Sequence, residues 1–206
     1  MTRDEVLKRA EAYDYHAFRA YLEQGGNPEI YDREGASLLA VLLRGYYDSV
    51  FYSDPEEAAF FRKHGEGDGE LYRHVNPLCR VPLDKRPYGI RDKIDDLLAR
   101  GIGINAVGWK EAEEEYGPGD AWVETPLFHA VVHCDYCMTE YLLEKGADPW
   151  QRLFSEGNYD EQEHEYWLLE HMDYCEDIGY CGEAGDNIRD MKALLNRYGL
   201  SWTKES

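Results

Sequence analysis

The sequence predicts an all-α fold, a short solenoid of about four helical hairpins with two insertions, and two observations support this prediction. First, four segments end alike, with two apolar residues, polar residues and a glycine, at residues 21–25, 97–101, 142–146 and 194–199. The apolar pair faces a core, and the glycine adopts the left-handed conformation that ends a helix. Second, similar residues follow three of these ends, which indicates a repeated structural unit.

The hairpins can be placed in chain order from these ends and from their start signals. Thr2 and Glu5 form the pattern of a capping box, so the first helix begins at Thr2. The first and last units have only one neighbour each and are expected to act as caps. In order, the hairpins cover residues 2–25, 37–101 and 125–146, with a last pair that ends at Gly199.

The third hairpin carries the most specific motif. Residues 124–130 read Glu-Thr-Pro-Leu-Phe-His-Ala, and residues 142–148 read Leu-Leu-Glu-Lys-Gly-Ala-Asp. This pattern resembles an ankyrin repeat, with the T-P-L opening and the L-L-x-x-G-A-D closing at the family's spacing. Thr125 is expected to cap the first helix, and Pro126 suits its first position. Residues 32–39 are a looser copy of the same opening.

Two stretches depart from the family's spacing. An insertion at residues 48–89 separates the helices of the second unit; residues 54–57 predict a short helix within it, and later prolines predict extended chain. A long turn at residues 107–119 precedes the third unit, where family members have short fingers that grip partners. The resemblance implies one domain over residues 1–206, with units at 2–30, 31–106, 107–149 and 150–206, the last being a C-terminal cap.

Charge narrows the classes of partner. The chain has 22 Lys and Arg against 42 Asp and Glu, a net charge of −20. Residues 1–105 hold 19 acids and 15 bases, whereas residues 106–206 hold 23 acids and 7 bases. Such a chain is repelled by nucleic-acid phosphates and by anionic lipids, so we expect no nucleic acid and no membrane as partner. We expect a basic protein partner for the acidic second half.

Composition bounds the environment of the protein. An aromatic content of 14%, with 17 Tyr and 5 Trp, is too high for a disordered acidic tail, so the chain folds. No signal peptide and no apolar stretch of about 20 residues is visible. Five cysteines, an odd number, favour reduced thiols in a reducing compartment. We expect a cytoplasmic monomer without a structural disulfide.

One cluster offers an alternative function. His133, Cys134 and Cys137 include a Cys-x-x-Cys pair that suits zinc, and Cys175 and Cys181 would have to complete the site. The repeat register instead places the cluster in the turn between two helices, where buried thiols are expected. We therefore expect no metal and no cofactor, with a metal-binding protein as the weaker alternative.

Enzyme signatures are missing from the sequence. Neither G-x-S-x-G nor H-E-x-x-H nor a glycine-rich dinucleotide fingerprint occurs. Histidines in residues 64–74 lack a matching ligand spacing, and those in residues 161–172 lie in a predicted amphipathic helix. We expect no catalytic residue.

The resemblance implies a non-catalytic protein-binding module. Small acidic ankyrin-like proteins in bacteria act as immunity proteins or antitoxins against a basic toxin such as a nuclease, which gives one candidate role. A structural adaptor in a multiprotein assembly is the alternative, and the long finger can also be read as a solvated surface helix. Family position implies binding by Arg33, Glu34, Arg44, Trp122, Glu124, Val132 and His133, and the finger adds Trp109, Glu113, Glu114, Glu115 and Tyr116.

Overall fold

The computed structural model describes residues 1–51, 78–117, 120–151, 153 and 185–200, and within them the chain is helical and has no strand, as the sequence predicts. Two 3₁₀ turns, Leu83–Lys85 and Pro87–Gly89, precede the fourth helix. The predicted helix after residue 54, the predicted helix at 161–172, and Cys175 and Cys181 lie outside the described residues. The helices are α1 (Arg3–Glu11), α2 (Tyr15–Glu23), α3 (Leu38–Phe51), α4 (Ile90–Ala99), α5 (Trp109–Tyr116), α6 (Pro126–Val132), α7 (Tyr136–Glu144) and α8 (Gly185–Arg197).

Neighbouring helices pack in the order of the chain. Helix α1 packs against α2 and α3, α3 against α4 and α6, α6 against α7, and α7 against α8. The first helices of three consecutive hairpins, α1, α3 and α6, therefore lie in a row. Helix α3 is at the centre of the core, and its buried side chains include Leu38, Leu39, Leu42, Leu43, Tyr46 and Tyr47.

The predicted helix ends are confirmed. Thr2 and Glu5 form the capping box, since the Thr2 hydroxyl accepts from the Glu5 N–H at 3.3 Å and the Thr2 N–H donates to the Glu5 carboxylate at 2.7 Å. Thr125 caps α6 by accepting from the Phe128 N–H at 3.1 Å. The glycines that end the four hairpin segments, Gly25, Gly101, Gly146 and Gly199, have φ between 82° and 95°.

A second left-handed position recurs in the turn inside each of the first three hairpins. Tyr13, Gly89 and Cys134 each lie twelve residues before the terminal glycine of their hairpin, and their φ values are 56°, 58° and 49°. Only glycine adopts this region without a steric cost, so Tyr13 and Cys134 are strained. The repeat geometry imposes the conformation even where the residue type disfavours it.

The described end of the insertion corrects one expectation. Extended chain was predicted after the prolines, but residues 83–89 form two 3₁₀ turns. The reason lies in Arg86, whose guanidinium donates to the carbonyls of Val81 at 2.8 Å and Leu78 at 2.9 Å and so folds the segment back on itself. Helix α3 also continues four residues into the predicted insertion, to Phe51.

Candidate protein-binding surface

The turns that join consecutive hairpins lie next to one another, and we call residues 31–37, 105–117, 120–125 and 147–151 the finger surface. In the first turn the Asp32 carboxylate accepts from the N–H groups of Glu34 and Ala36 at 3.0 and 2.8 Å. The first and second turns meet where Ala36 pairs with Val107 in a β-bridge. Hydrogen bonds therefore order the first turn and join it to the second.

The second and third turns are joined through Asn105. Its side-chain amide donates to the Gly146 carbonyl at 3.0 Å, and its side-chain oxygen accepts from the Asp148 N–H at 2.9 Å. The Gln151 side chain donates to the Asn105 carbonyl at 2.7 Å. Each turn thus fixes the position of the next.

The long turn predicted as a finger contains helix α5, and this helix is docked on one side. Ala112 is buried against Ala121 and Val123 in a small apolar cluster. Gly35 allows the close approach, because a Cβ there would lie 2.6 Å from the Gly108 carbonyl oxygen and 2.8 Å from a Val123 methyl. The Gly108 N–H also donates to the Gly35 carbonyl at 2.8 Å. Helix α5 is therefore held in a defined position.

The outer side of α5 carries the predicted run of acids. Glu113, Glu114 and Glu115 are exposed. Glu114 lies 3.7 Å from Lys110, but these side chains are 70% and 83% exposed, so the pair contributes little. Among the described residues, Glu113 and Glu115 make no ion pair. Two negative charges on this helix thus have no cation of the described chain beside them.

Arg44 of α3 gathers the partly buried acids beneath the finger surface. Its guanidinium lies 2.8 Å from Asp32, 3.3 Å from Glu124 and 3.5 Å from Glu34, and Glu11 is at 3.8 Å. One cation therefore serves four carboxylates. Family position predicts that Arg44 and Glu124 contact a partner, whereas the structure shows that both already make contacts within the chain.

Glu124 stays ionised over a wide pH range. Burial alone would raise its pKa, but His129, whose Nε2 atom lies 3.1 Å away, and Arg44 together lower the pKa to about 2. Glu34 behaves oppositely, since burial and the charges of Asp32 and Glu124 raise its pKa despite Arg44. The surroundings thus stabilise the charge of Glu124 and disfavour that of Glu34.

Tyr116 links α5 to this network. Burial and the neighbouring Glu34 carboxylate, to which its hydroxyl is hydrogen-bonded, raise the pKa of Tyr116 to about 12. Its side chain is nevertheless 41% exposed. Trp109, at the other end of the helix, is partly buried against the α5 cluster. The two aromatic residues therefore flank the exposed acids on the same helix.

The remaining predicted residues fall into two groups. Arg33 is exposed in the first turn, and Trp122 packs edge-on against Phe128 at 5.0 Å between ring centroids in the second. Val132 and His133 lie instead at the far end of α6, about 10 Å along the helix. His133 stacks there on Tyr47 at 4.1 Å. The structure thus brings ten of the twelve predicted residues to the finger surface and the network beneath it, and places these two elsewhere.

A buried ion pair near His133 was missed by the sequence analysis. Asp135 contacts the Arg86 guanidinium with both carboxylate oxygens, at 2.5 and 2.6 Å, and both side chains are 0% exposed. Asp135 also accepts from the Tyr47 hydroxyl and caps α7 through the Met138 N–H, each at 3.0 Å. The sequence did contain one indication of this pair: Asp135 falls in a turn that the repeat register places in the core, and a buried carboxylate needs a partner. Sequence spacing did not identify a partner 49 residues away in the insertion.

The alternative metal site gains no support from this arrangement. Asp135, between the two cysteines, is occupied by Arg86, and the described residues contain no group of three or more His, Cys, Asp or Glu side chains arranged to hold a metal ion. Within the same residues, no helix is long and apolar enough to cross a membrane.

Helical hairpins that pack in chain order and are joined by hydrogen-bonded turns are typical of helical repeat proteins. The family model of the ankyrin repeat matches residues 124–149, which comprise α6, α7 and the glycine that ends them. The chain therefore contains an ankyrin repeat in its third hairpin. Searches of the curated proteins and of the solved structures gave no match. Ankyrin repeats are generally non-catalytic modules that bind other proteins, and this chain carries such a module.

Proposed function

We propose that the chain binds a basic protein partner through the finger surface. The observation that supports this most directly is the outer side of α5, where Glu113 and Glu115 are exposed and make no ion pair within the described residues. Aromatic residues stand at both ends of this helix, and aromatic side chains are enriched in interface cores. Acids flanked by aromatic rings suit Lys and Arg side chains of a partner.

The docking of α5 favours this function over a solvated helix without a role. A short helix that served solubility alone would need no anchoring, whereas Ala112 and the close contact at Gly35 fix α5 against the neighbouring turn. A surface held in place loses little conformational freedom when a partner binds. The anchored helix therefore presents its acids in a geometry that binding can use.

The charge of the finger surface also predicts how binding depends on salt. An acidic surface accelerates the encounter with a basic partner, and salt screens this effect over a Debye length of about 8 Å at physiological ionic strength. A basic toxin that is neutralised by an immunity protein or antitoxin is the partner class that we place first, because a phosphate-binding cleft is complementary to an acidic surface. A gene for a small basic protein next to the gene for this chain would support this assignment.

The test is affinity capture from the native cells with tagged protein and a charge reversal. The variant Glu113→Lys, Glu114→Lys, Glu115→Lys reverses the exposed acids of α5. A matched control, Asp84→Lys, Asp92→Lys, Glu144→Lys, makes the same change in net charge at exposed positions outside the finger surface. We expect the wild type and the control to retain one basic protein at low salt and the α5 variant to lose it.

Other outcomes would contradict the proposal. If the α5 variant, with unchanged helicity, retained the same partner, the acids of α5 would not form the contact. A retained partner without basic excess, bound equally at low and high salt, would favour a structural adaptor instead. Equal losses in both variants would show that net charge alone, and not the finger surface, determines binding.

A further inference from the structure

Two thiols meet where the insertion returns to the third hairpin. The Cys137 N–H, in the first turn of α7, donates to the carbonyl oxygen of Cys79 at 3.2 Å. Because an amide nitrogen lies about 1.5 Å from its Cα and a carbonyl oxygen about 2.4 Å from its own, this bond keeps the two Cα atoms within about 7 Å of each other. Disulfides join cysteines whose Cα atoms are about 4.4–6.8 Å apart, so the backbone holds the pair near the separation that a disulfide needs.

The Cys79 side chain faces the first turn of α7. Its sulfur is hydrogen-bonded to the backbone N–H of Tyr136, the residue immediately before Cys137. Cys79 is buried, while Cys137 is partly exposed. The short sequence separation between Tyr136 and Cys137 therefore brings the Cys79 sulfur close to the second cysteine.

The buried ion pair holds this arrangement in place. Arg86 donates to the carbonyl of Leu78, which directly precedes Cys79. Its partner Asp135 lies two residues before Cys137. Both cysteines are thus attached to backbone that the Arg86–Asp135 pair fixes.

We propose that Cys79 and Cys137 form a reversible disulfide under peroxide, which makes the joint between the insertion and the third hairpin a redox-sensitive site. Hydrogen peroxide first oxidises the more exposed thiol, Cys137, to a sulfenic acid and releases one water. The Cys79 sulfur then attacks the Cys137 sulfur; the S–S bond forms, the S–O bond breaks, and the hydroxyl leaves with the Cys79 proton as a second water. The two thiols lose two electrons, which reduce the peroxide.

Both thiols are expected to stay reduced in the presence of weak oxidants. Burial raises the pKa of both thiols, so both stay mostly protonated at neutral pH and react slowly with disulfides and with dilute peroxide alike; the bond forms under strong or prolonged oxidation. Once formed, the bond closes the chain from Cys79 to Cys137 and restricts the unfolded state. Oxidation therefore fastens residues 78–89 to α7 and raises the thermal stability of the protein.

The experiment treats the full chain with hydrogen peroxide, alkylates the remaining thiols and maps peptides by tandem mass spectrometry without reduction. Trypsin leaves Cys79 in residues 74–80 but leaves Cys137 together with Cys134 in residues 111–145. The variant Cys134→Ser removes that ambiguity. We expect the 79–137 link in the wild type and in Cys134→Ser, its loss in Cys137→Ser, and a rise of several degrees in Tm that dithiothreitol reverses.

The proposal would be overturned by either of two results. In the first, Cys79 remains fully open to alkylation after unfolding of the peroxide-treated protein. In the second, Cys79 is linked to Cys134, Cys175 or Cys181 in preference to Cys137. Circular dichroism of the reduced variants checks that each is folded, and a misfolded Cys137→Ser leaves the wild-type and Cys134→Ser maps to decide the outcome.

Discussion

The outer helices α2, α4, α7 and α8 use charge differently from the finger surface. On the outer helices, acids of one hairpin contact bases of the same hairpin or the next. Cations there also lie over tyrosine rings, as Lys93 does over Tyr13 at 3.9 Å. The ion pairs are Asp96 with Arg100 at 3.0 Å and with Arg19 at 3.9 Å, Asp95 with Lys145 at 2.5 Å, and Glu140 with Arg197 at 3.0 Å.

On the finger surface the acids outnumber the cations that contact them. Arg44 alone contacts four carboxylates, and the exposed Glu113 and Glu115 make no ion pair within the described residues. The comparison teaches that charges on the outer helices connect hairpins to each other, whereas the exposed Glu113 and Glu115 of α5 have no ion-pair partner within the described residues.

The largest effect on stability is expected at the buried Arg86–Asp135 ion pair, which belongs neither to the outer helices nor to the finger surface. Arg86→Ala leaves Asp135 as an uncompensated buried charge and should lower the free energy of unfolding by about 3–5 kcal/mol. Arg80→Ala is the control, because its pair with Asp190 is half exposed and should cost below about 1 kcal/mol. Urea denaturation followed by circular dichroism measures both. A loss below about 1 kcal/mol in Arg86→Ala would show that this pair does not hold the insertion.

The second-largest effect is the pH dependence of stability that Glu124 causes through its contacts with Arg44 and His129. Folding lowers the pKa of Glu124 from about 4.5 to about 2, so its contribution to stability is present above pH 4.5 and is lost as the pH falls toward 2. The loss amounts to roughly 3 kcal/mol at most, at 1.36 kcal/mol per pKa unit. Glu124→Gln should flatten this part of the curve of unfolding free energy against pH. Parallel curves for the two proteins would contradict the account.

The third effect tests whether α5 is docked. Gly35→Ala places a Cβ against the Gly108 carbonyl at a φ of +79° and should cost about 2–3 kcal/mol. Gly25→Ala is the matched control, since its φ is +82° but nothing lies within 4 Å, and only the backbone strain of about 1 kcal/mol should appear. Thermal unfolding compares the two variants. Equal costs would mean that α5 does not press against Gly35.

These sites differ in how far the sequence could predict them. Helix starts at Thr2 and Thr125 and the terminal glycines follow from local rules, so they were predicted correctly. The left-handed conformations of Tyr13 and Cys134 were missed, because the repeat geometry overrides the preference of the residue type. Local sequence patterns therefore predict where the hairpins begin and end, whereas tertiary packing determines the backbone conformation of the turns inside them.

The candidate surface was predictable only in part. The long turn and its run of glutamates were visible in the sequence, because they depart from the family's spacing. The docking of α5 through Ala112 and the ion pairs around Arg44 could not be predicted, because these contacts join residues that are far apart in the chain. The same reason hid the partner of Asp135.

The smallest effect is expected on the outer helices. Asp95 and Lys145 are each more than a third exposed, so their coupling energy in a double-mutant cycle with Asp95→Asn and Lys145→Met should stay below about 1 kcal/mol. Thermal or urea unfolding of the four proteins gives this value. A coupling above about 2 kcal/mol would mean that the outer ion pairs, and not the apolar core, hold the hairpins together.

The most direct test of an available acidic finger surface is the association rate of the captured partner as a function of ionic strength. Stopped-flow or biosensor measurements compare the wild type, the α5 charge-reversal variant and its matched control. We predict that the wild-type and control rates fall at least about tenfold between roughly 50 and 500 mM salt, and that the α5 variant associates slowly at every salt concentration. A wild-type rate that is independent of salt, or an α5 variant that associates as fast as the control, would contradict the account.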